Sequence, residues 1–311
     1  MAYTSGDTIL DTHYNGFANS VNALWGTGSG DRGYGQTDTV STVSDGTTIQ
    51  ATQWATLMNR IRSISDHTGQ DGSITVDTVS NPSAGDTISA FATISADIGT
   101  IDTAAAAQTN SAGLQSNSTN NVDSTATLTN ALTQTSTYTF ASANQMRHFF
   151  NAGGRIQISW DIFSYTSDTK AERWNTLAEA CGTYQIFGKS SGKTGGSGTT
   201  SVNYTAEGFH NMGTGQTQTF KQFAASTYTA NYIDLHTNIN AAVGSATVMT
   251  IQSRWVDDEA DQTSYNKNIY NVLDQTDGTK RTTFAIAKPN TTYLTDNVGT
   301  ITYTNTVNSH S

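Results

Sequence analysis

The stretch Ile156-Gln-Ile-Ser-Trp-Asp-Ile162 decides the fold class. Its apolar residues Ile156, Ile158, Trp160 and Ile162 alternate strictly with Gln157, Ser159 and Asp161. A period of two is the mark of a strand buried on one face. Outward from it, residues 200–207, 216–222, 228–236, 246–255, 281–287 and 299–306 read as further strands. Many carry threonine on the outer face, where β-branched residues suit a pleated surface. One helix interrupts them, Asp168-Thr-Lys-Ala-Glu-Arg-Trp-Asn-Thr-Leu-Ala-Glu-Ala-Cys-Gly182. Asp168 is its expected N-cap, Ala171, Trp174, Leu177, Ala178 and Cys181 its buried stripe, and Gly182 its stop. Strands at short spacing with one packed helix predict a mainly β chain whose residues 136–311 form an antiparallel, jelly-roll-like β-sandwich.

The N-terminal region, 1–75, changes period and repeats itself at an offset of 40 residues. Thr8, Ile9, Thr12, Tyr14, Phe17, Asn19, Val21 and Leu24 align with Thr48, Ile49, Thr52, Trp54, Leu57, Asn59, Ile61 and Ile64. Each copy reads as a short extended piece, a threonine N-cap (Thr12, Thr52), and a helix with one apolar face. Gly26 and Gly69 are the expected stops. Between the copies lies the glycine-rich loop Trp25-Gly-Thr-Gly-Ser-Gly-Asp-Arg-Gly-Tyr-Gly-Gln36. Two such helices bury little by themselves, so a covering partner surface is expected.

Composition separates these two regions. Only 13% of residues are charged and 35% apolar, while threonine alone supplies 55 of 311 residues. An average soluble domain has roughly 25% charged and about 45–50% apolar residues. From Ser63 to Met146 there is no Lys, Arg or Glu, and the charges are seven Asp: 66, 71, 77, 86, 97, 102 and 123. That polar, small-residue stretch reads as an extended connector over 76–135 that orders only against partners. A net charge of −10 and a pI near 4.8 disfavour nucleic acid. No apolar run is long enough to insert in a membrane. The start of the chain lacks the features of a secretory leader, so synthesis in a cytoplasm is expected. Cys181 is the sole cysteine, and no disulfide framework is expected.

Motifs that carry chemistry are tested and set aside. Gly188-Lys-Ser-Ser-Gly-Lys-Thr194 resembles a phosphate-binding loop, but three residues rather than four separate Gly188 from Gly192, and no helix is expected to follow. The same segment places Ser190 at the centre of Gly-x-Ser-x-Gly, a nucleophile elbow that also needs a following helix. In Val256-Asp-Asp-Glu-Ala-Asp261, the residues Asp257, Glu259 and Asp261 are candidate cation ligands, without the glycine and distal glutamate of an EF-hand. The six histidines show no paired ligand spacing, and His148 beside Phe149 reads as packed. Cys181 on an apolar helix face reads as a buried thiol. No catalytic residue and no cofactor follow from these patterns. The interface candidates are Trp25 and Tyr34 in the glycine-rich loop, with Tyr228 and Tyr232, which four-residue spacing would place on one strand face.

One segment carries a resemblance. Ala143-Asn-Gln-Met-Arg-His-Phe-Phe-Asn-Ala-Gly-Gly-Arg-Ile-Gln-Ile-Ser159 resembles the helix, Phe-Phe-Asn-x-Gly-Gly, strand signature of structural proteins of tailed bacteriophages, cyanophages in particular. Lys170–Gly182, Gly208-Phe-His-Asn-Met212 with Gln216-Thr-Gln-Thr-Phe220, Pro289-Asn-Thr-Thr-Tyr-Leu-Thr-Asp-Asn-Val-Gly299 and Ile49–Ile61 are similar to the same group. The resemblance spares 76–135 and transfers no catalytic residue. It implies a non-enzymatic virion protein, of the tail (baseplate, fibre or fibre attachment), whose partners are other virion proteins. A homo-oligomer, a trimer for example, and contact with a host surface glycan or receptor are expected with it. The alternatives are a capsid-decoration, head-fibre or neck protein, and a glycan-binding or depolymerase module.

Overall fold

The apolar periods recognised above become the buried faces of two units. The computed structural model describes residues 10–86, 91–108, 114–166, 169–226, 228–259, 263–265, 271–273, 276–295 and 298–310. One unit comprises Met1–Ser116, Asn144–Gly154 and Lys288–Gly299; the other comprises Asn117–Ala143, Arg155–Ala287 and Thr300–Ser311.

The first unit is helical. Its helices are α1 (Asp11–Trp25), α2 (Ala51–Thr68), α3 (Phe91–Ala107) and nearly all of α4 (Ala143–Asn151). The repeat does form two helices packed on each other, with Tyr14, Val21, Leu24, Trp54, Leu57, Ile61 and Ile64 buried. The expected caps shift by two residues. Leu10 and Gln50 occupy the N-cap positions, and Thr12 and Thr52 lie inside the first turns. Longer side chains do the capping instead: Asp11 Oδ1 accepts the Thr12 N–H at 2.6 Å, and Gln53 Oε1 accepts the Gln50 N–H at 2.7 Å.

The surface that covers α1 and α2 comes from this same chain. Residues 76–135, expected to be an extended connector, contribute α3 to this unit and two strands to the other. Ile94, Ile98, Ile101 and Ala105 of α3 recur every three or four residues and join the core of α1 and α2, together with Ala152 and Leu294. The isoleucines of α3 therefore face the α1–α2 core rather than lying on a solvated tether.

In the second unit the strands are β1 (Leu114–Ser124), β2 (Ala131–Thr139), β3 (Arg155–Phe163), β4 (Thr183–Ile186), β5 (Ser191–Thr194), β6 (Thr200–Asn203), β7 (Thr217–Phe223), β8 (Tyr232–Ile239), β9 (Val248–Val256), β10 (Thr263–Tyr265), β11 (Asn271–Leu273), β12 (Thr279–Pro289) and β13 (Thr302–His310). They form antiparallel sheets in the orders β1-β12-β3-β4-β5 and β13-β2-β9-β8-β7-β6, with β10–β11 as a separate ribbon. Strands far apart in sequence lie side by side (β1 with β12, β2 with β9), as a jelly-roll-like sandwich requires, while β6 to β9 run as a meander. The expected helix is α5 (Thr169–Cys181), packed on β3, β7 and β8 with its whole apolar stripe buried; Asp168 lies outside the described residues.

The two sheets face each other through polar as well as apolar side chains. Trp160 of β3 stacks on Phe220 of β7 at 5.3 Å and donates its indole N–H to Ser253 Oγ of β9 at 2.7 Å. Gln134 of β2 is fully buried between the sheets. Its Nε2 donates to the carbonyls of Val122 (2.6 Å) and Lys280 (2.9 Å), and its Oε1 accepts from Trp255 Nε1 (2.9 Å) and Thr282 Oγ1 (2.6 Å). Lys280 is also buried; its ammonium donates to the carbonyls of Ala126, Thr276 and Gly278, and burial pulls its pKa down to about 8. Replacing Gln134 by leucine would remove the amide partner of two carbonyls in the interior and leave the Trp255 indole N–H only its longer bond to Thr282 Oγ1. Gln134→Leu is expected to lower stability by about 2–4 kcal/mol, measured by denaturant unfolding; an unchanged midpoint would remove the amide from this role.

Candidate functional site

The glycine-rich loop after α1 is ordered by α4, within the helical unit. The Arg147 guanidinium donates to the carbonyls of Thr27 (2.5 Å), Gly28 (3.3 Å) and Arg32. Asn151 Nδ2 donates to the carbonyls of Gly30, Arg32 and Gly33. Gly33 has φ +98°, and a Cβ there would sit 2.2 Å from the Thr27 carbonyl oxygen, so the close turn requires glycine. At the end of α4, a Cβ on Gly154 would fall 2.6 Å from the Phe149 ring. The Phe-Phe-Asn-Ala-Gly-Gly segment is thus a device for closing a helix and gripping a loop.

Two of the four interface candidates, Trp25 and Tyr34, are buried rather than exposed. Trp25 has no exposed surface, donates Nε1–H to Asp38 Oδ1 at 2.8 Å, and carries the Arg60 guanidinium 4.0 Å above its ring. Partial burial works to raise the Asp38 carboxyl, but hydrogen bonds from Trp25, Thr295 and Arg60, with the Arg60 charge, hold it below the usual range. Tyr34 is buried edge-on against His67, ring centroids 5.0 Å apart. His67 Nε2–H donates to the Ala152 carbonyl at 3.1 Å, and burial lowers its pKa to about 4.

In the sandwich unit, Tyr228 is buried at φ +61°, ahead of the strand rather than in it, so it does not share a strand face with Tyr232. Tyr232 is half-buried. Its ring packs against Phe223 at 5.3 Å, and the Lys221 ammonium sits 3.5 Å from its centroid, making a small exposed aromatic–cation cluster.

Asp257 and Glu259 of the acidic run are held in structural contacts. Asp257 pairs with Lys170 of α5 at 2.8 Å, both side chains buried. Glu259 Oε2 accepts the Ala230 N–H at 2.9 Å, and Asn231 Oδ1 accepts the N–H groups of Asp258 and Glu259. Asp261 lies outside the described residues. Among the described residues, no three His, Cys, Asp or Glu side chains converge as a metal site. Ser190 lies in the turn joining β4 to β5, where its carbonyl accepts the Phe187 N–H, and the next element is a strand. His148 is half-buried, donating Nε2–H to the Thr27 carbonyl, and the Cys181 thiol is buried with its pKa raised by desolvation.

A concavity of the helical unit lies at the N-terminal ends of α1 and α2. It encloses about 670 Å³, with Leu10, Ile49 and Trp54 as apolar floor and Asp11, Asp45 and Asp86 on the rim. No Lys or Arg lines it. Its chemistry suits an apolar side chain flanked by cations and disfavours phosphate. Sequence reasoning missed it because its walls come from three separate segments. No family model, no curated protein and no solved structure matches this chain.

Two measurements test these environments. The native pKa of His67, about 4, lies below its ordinary 6.5. Its contribution to stability is therefore complete above pH 6.5 and is lost as pH falls toward 4, because the unfolded chain takes up the proton first; the span is roughly 3 kcal/mol. His67→Gln is expected to flatten the unfolding midpoint over that window, and an unchanged slope would contradict a neutral buried imidazole. Lys170→Met should leave a buried carboxylate and cost about 3–5 kcal/mol. Adding Asp257→Leu should recover most of that loss, as read by thermal melting of both variants.

Proposed function

We propose that this chain is a non-enzymatic structural component of a tailed-bacteriophage virion, belonging to the tail as a baseplate, fibre or fibre-attachment protein. The observation that carries the reading is the structural part played by the segment that resembles those proteins. Met146, Phe149 and Phe150 are buried, Arg147 and Asn151 grip the glycine-rich loop, and Gly154 admits the Phe149 ring. The residues 146–154 that bear the resemblance therefore hold the glycine-rich loop of the helical unit.

The surroundings support the same reading. Three of the reactive side chains singled out by sequence are engaged in scaffolding: Asp257 with Lys170, Glu259 with the Ala230 N–H, and Cys181 in a core. In this reading the acidic, apolar-floored concavity receives a basic and apolar segment of a neighbouring virion protein. The chain assembles with such partners and with further copies of itself. The exposed Phe223–Lys221–Tyr232 cluster favours, as a second reading, a host-surface glycan contact, since aromatic faces stack on sugar rings.

The test is the position of the protein in purified particles. Antibody labelling in cryo-electron microscopy is expected to mark the tail. Labelling confined to the capsid would replace the tail by a head role, and absence from particles would refute the virion reading. Incubation of the purified chain with host surface polysaccharide is expected to release no new reducing ends; their appearance would refute the non-enzymatic part.

A further inference from the structure

Each sheet of the sandwich ends in two edge strands, and the two sides of the sandwich are unlike. One side ends in β5 and β6, four residues each, the latter with a register break against β7. The other ends in β1 and β13, eleven and nine residues long. Reciprocal amide hydrogen bonds between Asn120 and Asn305, at 2.7 and 2.8 Å, join these two strands across the sheets. β1 carries a surface ion pair, Asp123 with Arg281 at 2.7 Å. β13 carries nothing of the kind.

Soluble proteins protect long sheet edges with charge, proline, bulges or short strands. The β13 sequence, Thr302-Tyr-Thr-Asn-Thr-Val-Asn-Ser-His310, has no Asp, Glu, Lys, Arg, Pro or Gly. Its register with β2 runs unbroken from Thr302–Thr139 to His310–Ala131. Residues 302–308 are exposed on both faces. Tyr303 and Val307 flank Asn305 on the face turned toward β1, yet remain 41% and 42% exposed. A row of backbone donors and acceptors, level and uncharged, is left in water.

We propose that β13 pairs edge to edge with β13 of a second copy of this chain, antiparallel about a two-fold axis through Asn305, joining two six-stranded sheets. The sequence is self-complementary in that register. Tyr303 falls opposite Val307 of the other copy, an aromatic and β-branched pair that stabilises antiparallel strands, and Thr304 falls opposite Thr306. An isologous contact requires this self-matching. Charge selects the same surface: two chains of net charge −10 repel over most of their area, and this edge brings no acidic residue against another. The inference rests on the homo-oligomeric part of the reading above and not on its virion part.

The test is the solution mass of the full chain by light scattering at tens of micromolar. Twice the 33.1 kDa chain mass is expected. The variant T304K/T306K places lysine opposite lysine across the axis and should be monomeric. The variant T304K/T306E places lysine opposite glutamate and should remain dimeric. Circular dichroism and melting compare the fold of all three. A monomeric or trimeric parent chain would overturn the proposal, as would a T304K/T306K variant that stays dimeric. Dissociation of a folded T304K/T306E variant would overturn the register about Asn305. A dimer that is absent from particles would sustain the edge and refute the virion reading; a monomer found in particles would do the reverse.

Discussion

The sandwich depends on one buried primary amide. Gln134 satisfies two carbonyls of the facing sheet and accepts from one tryptophan and one threonine, so its hydrogen-bonding capacity is filled in the interior. Ser253 and Thr282 extend the network to Trp160 and Trp255. A core built this way stays in place by direction as well as by area, because each polar group loses water that only its partner replaces. The threonine and serine that dominate the composition are therefore partly interior groups. A mean hydropathy of −0.43 is compatible with a full core for this reason.

The same constraint explains what could be read from sequence. β3 was legible because its inner face is apolar at every second position, and α1, α2 and α5 because their stripes are apolar at helical spacing. β2 was not, although it is paired on both sides, with β13 and β9. Its inward residues include Gln134, Ser136 and Tyr138, so no alternation of apolar and polar marks it as a strand. α3 was hidden differently: its isoleucines have the right period, but they sit in a stretch whose lack of charge drew the reading toward a tether.

The site residues were less legible than the fold. Trp25, the last residue of α1, and Tyr34 border a glycine-rich loop that looks solvent-facing until Arg147 and Asn151, over a hundred residues later, are seen to hold it. The acidic run offered weak cation-ligand candidates because the counter-ion of Asp257, Lys170, belongs to a helix far upstream. Burial of a polar or aromatic side chain is decided by partners distant in sequence, and spacing within one segment carries no record of them. The concavity at the starts of α1 and α2 has the same character, since Asp86 and Leu10 meet there only through the fold.

Both units are discontinuous in the chain, and this has a consequence for how the protein is made. The helical unit needs residues 288–299, which bring Leu294 into its core, and the sandwich needs 300–310 for β13. A ribosome must therefore translate past residue 294 before the helical core has all its members, and past β12 before the two sheets of the sandwich do. Domains whose segments are contiguous can fold one after another during synthesis. Here the isoleucines and tryptophans of α1, α2 and β3 wait for partners more than a hundred residues further along the chain, Leu294 for the helical core and β12 for the sandwich.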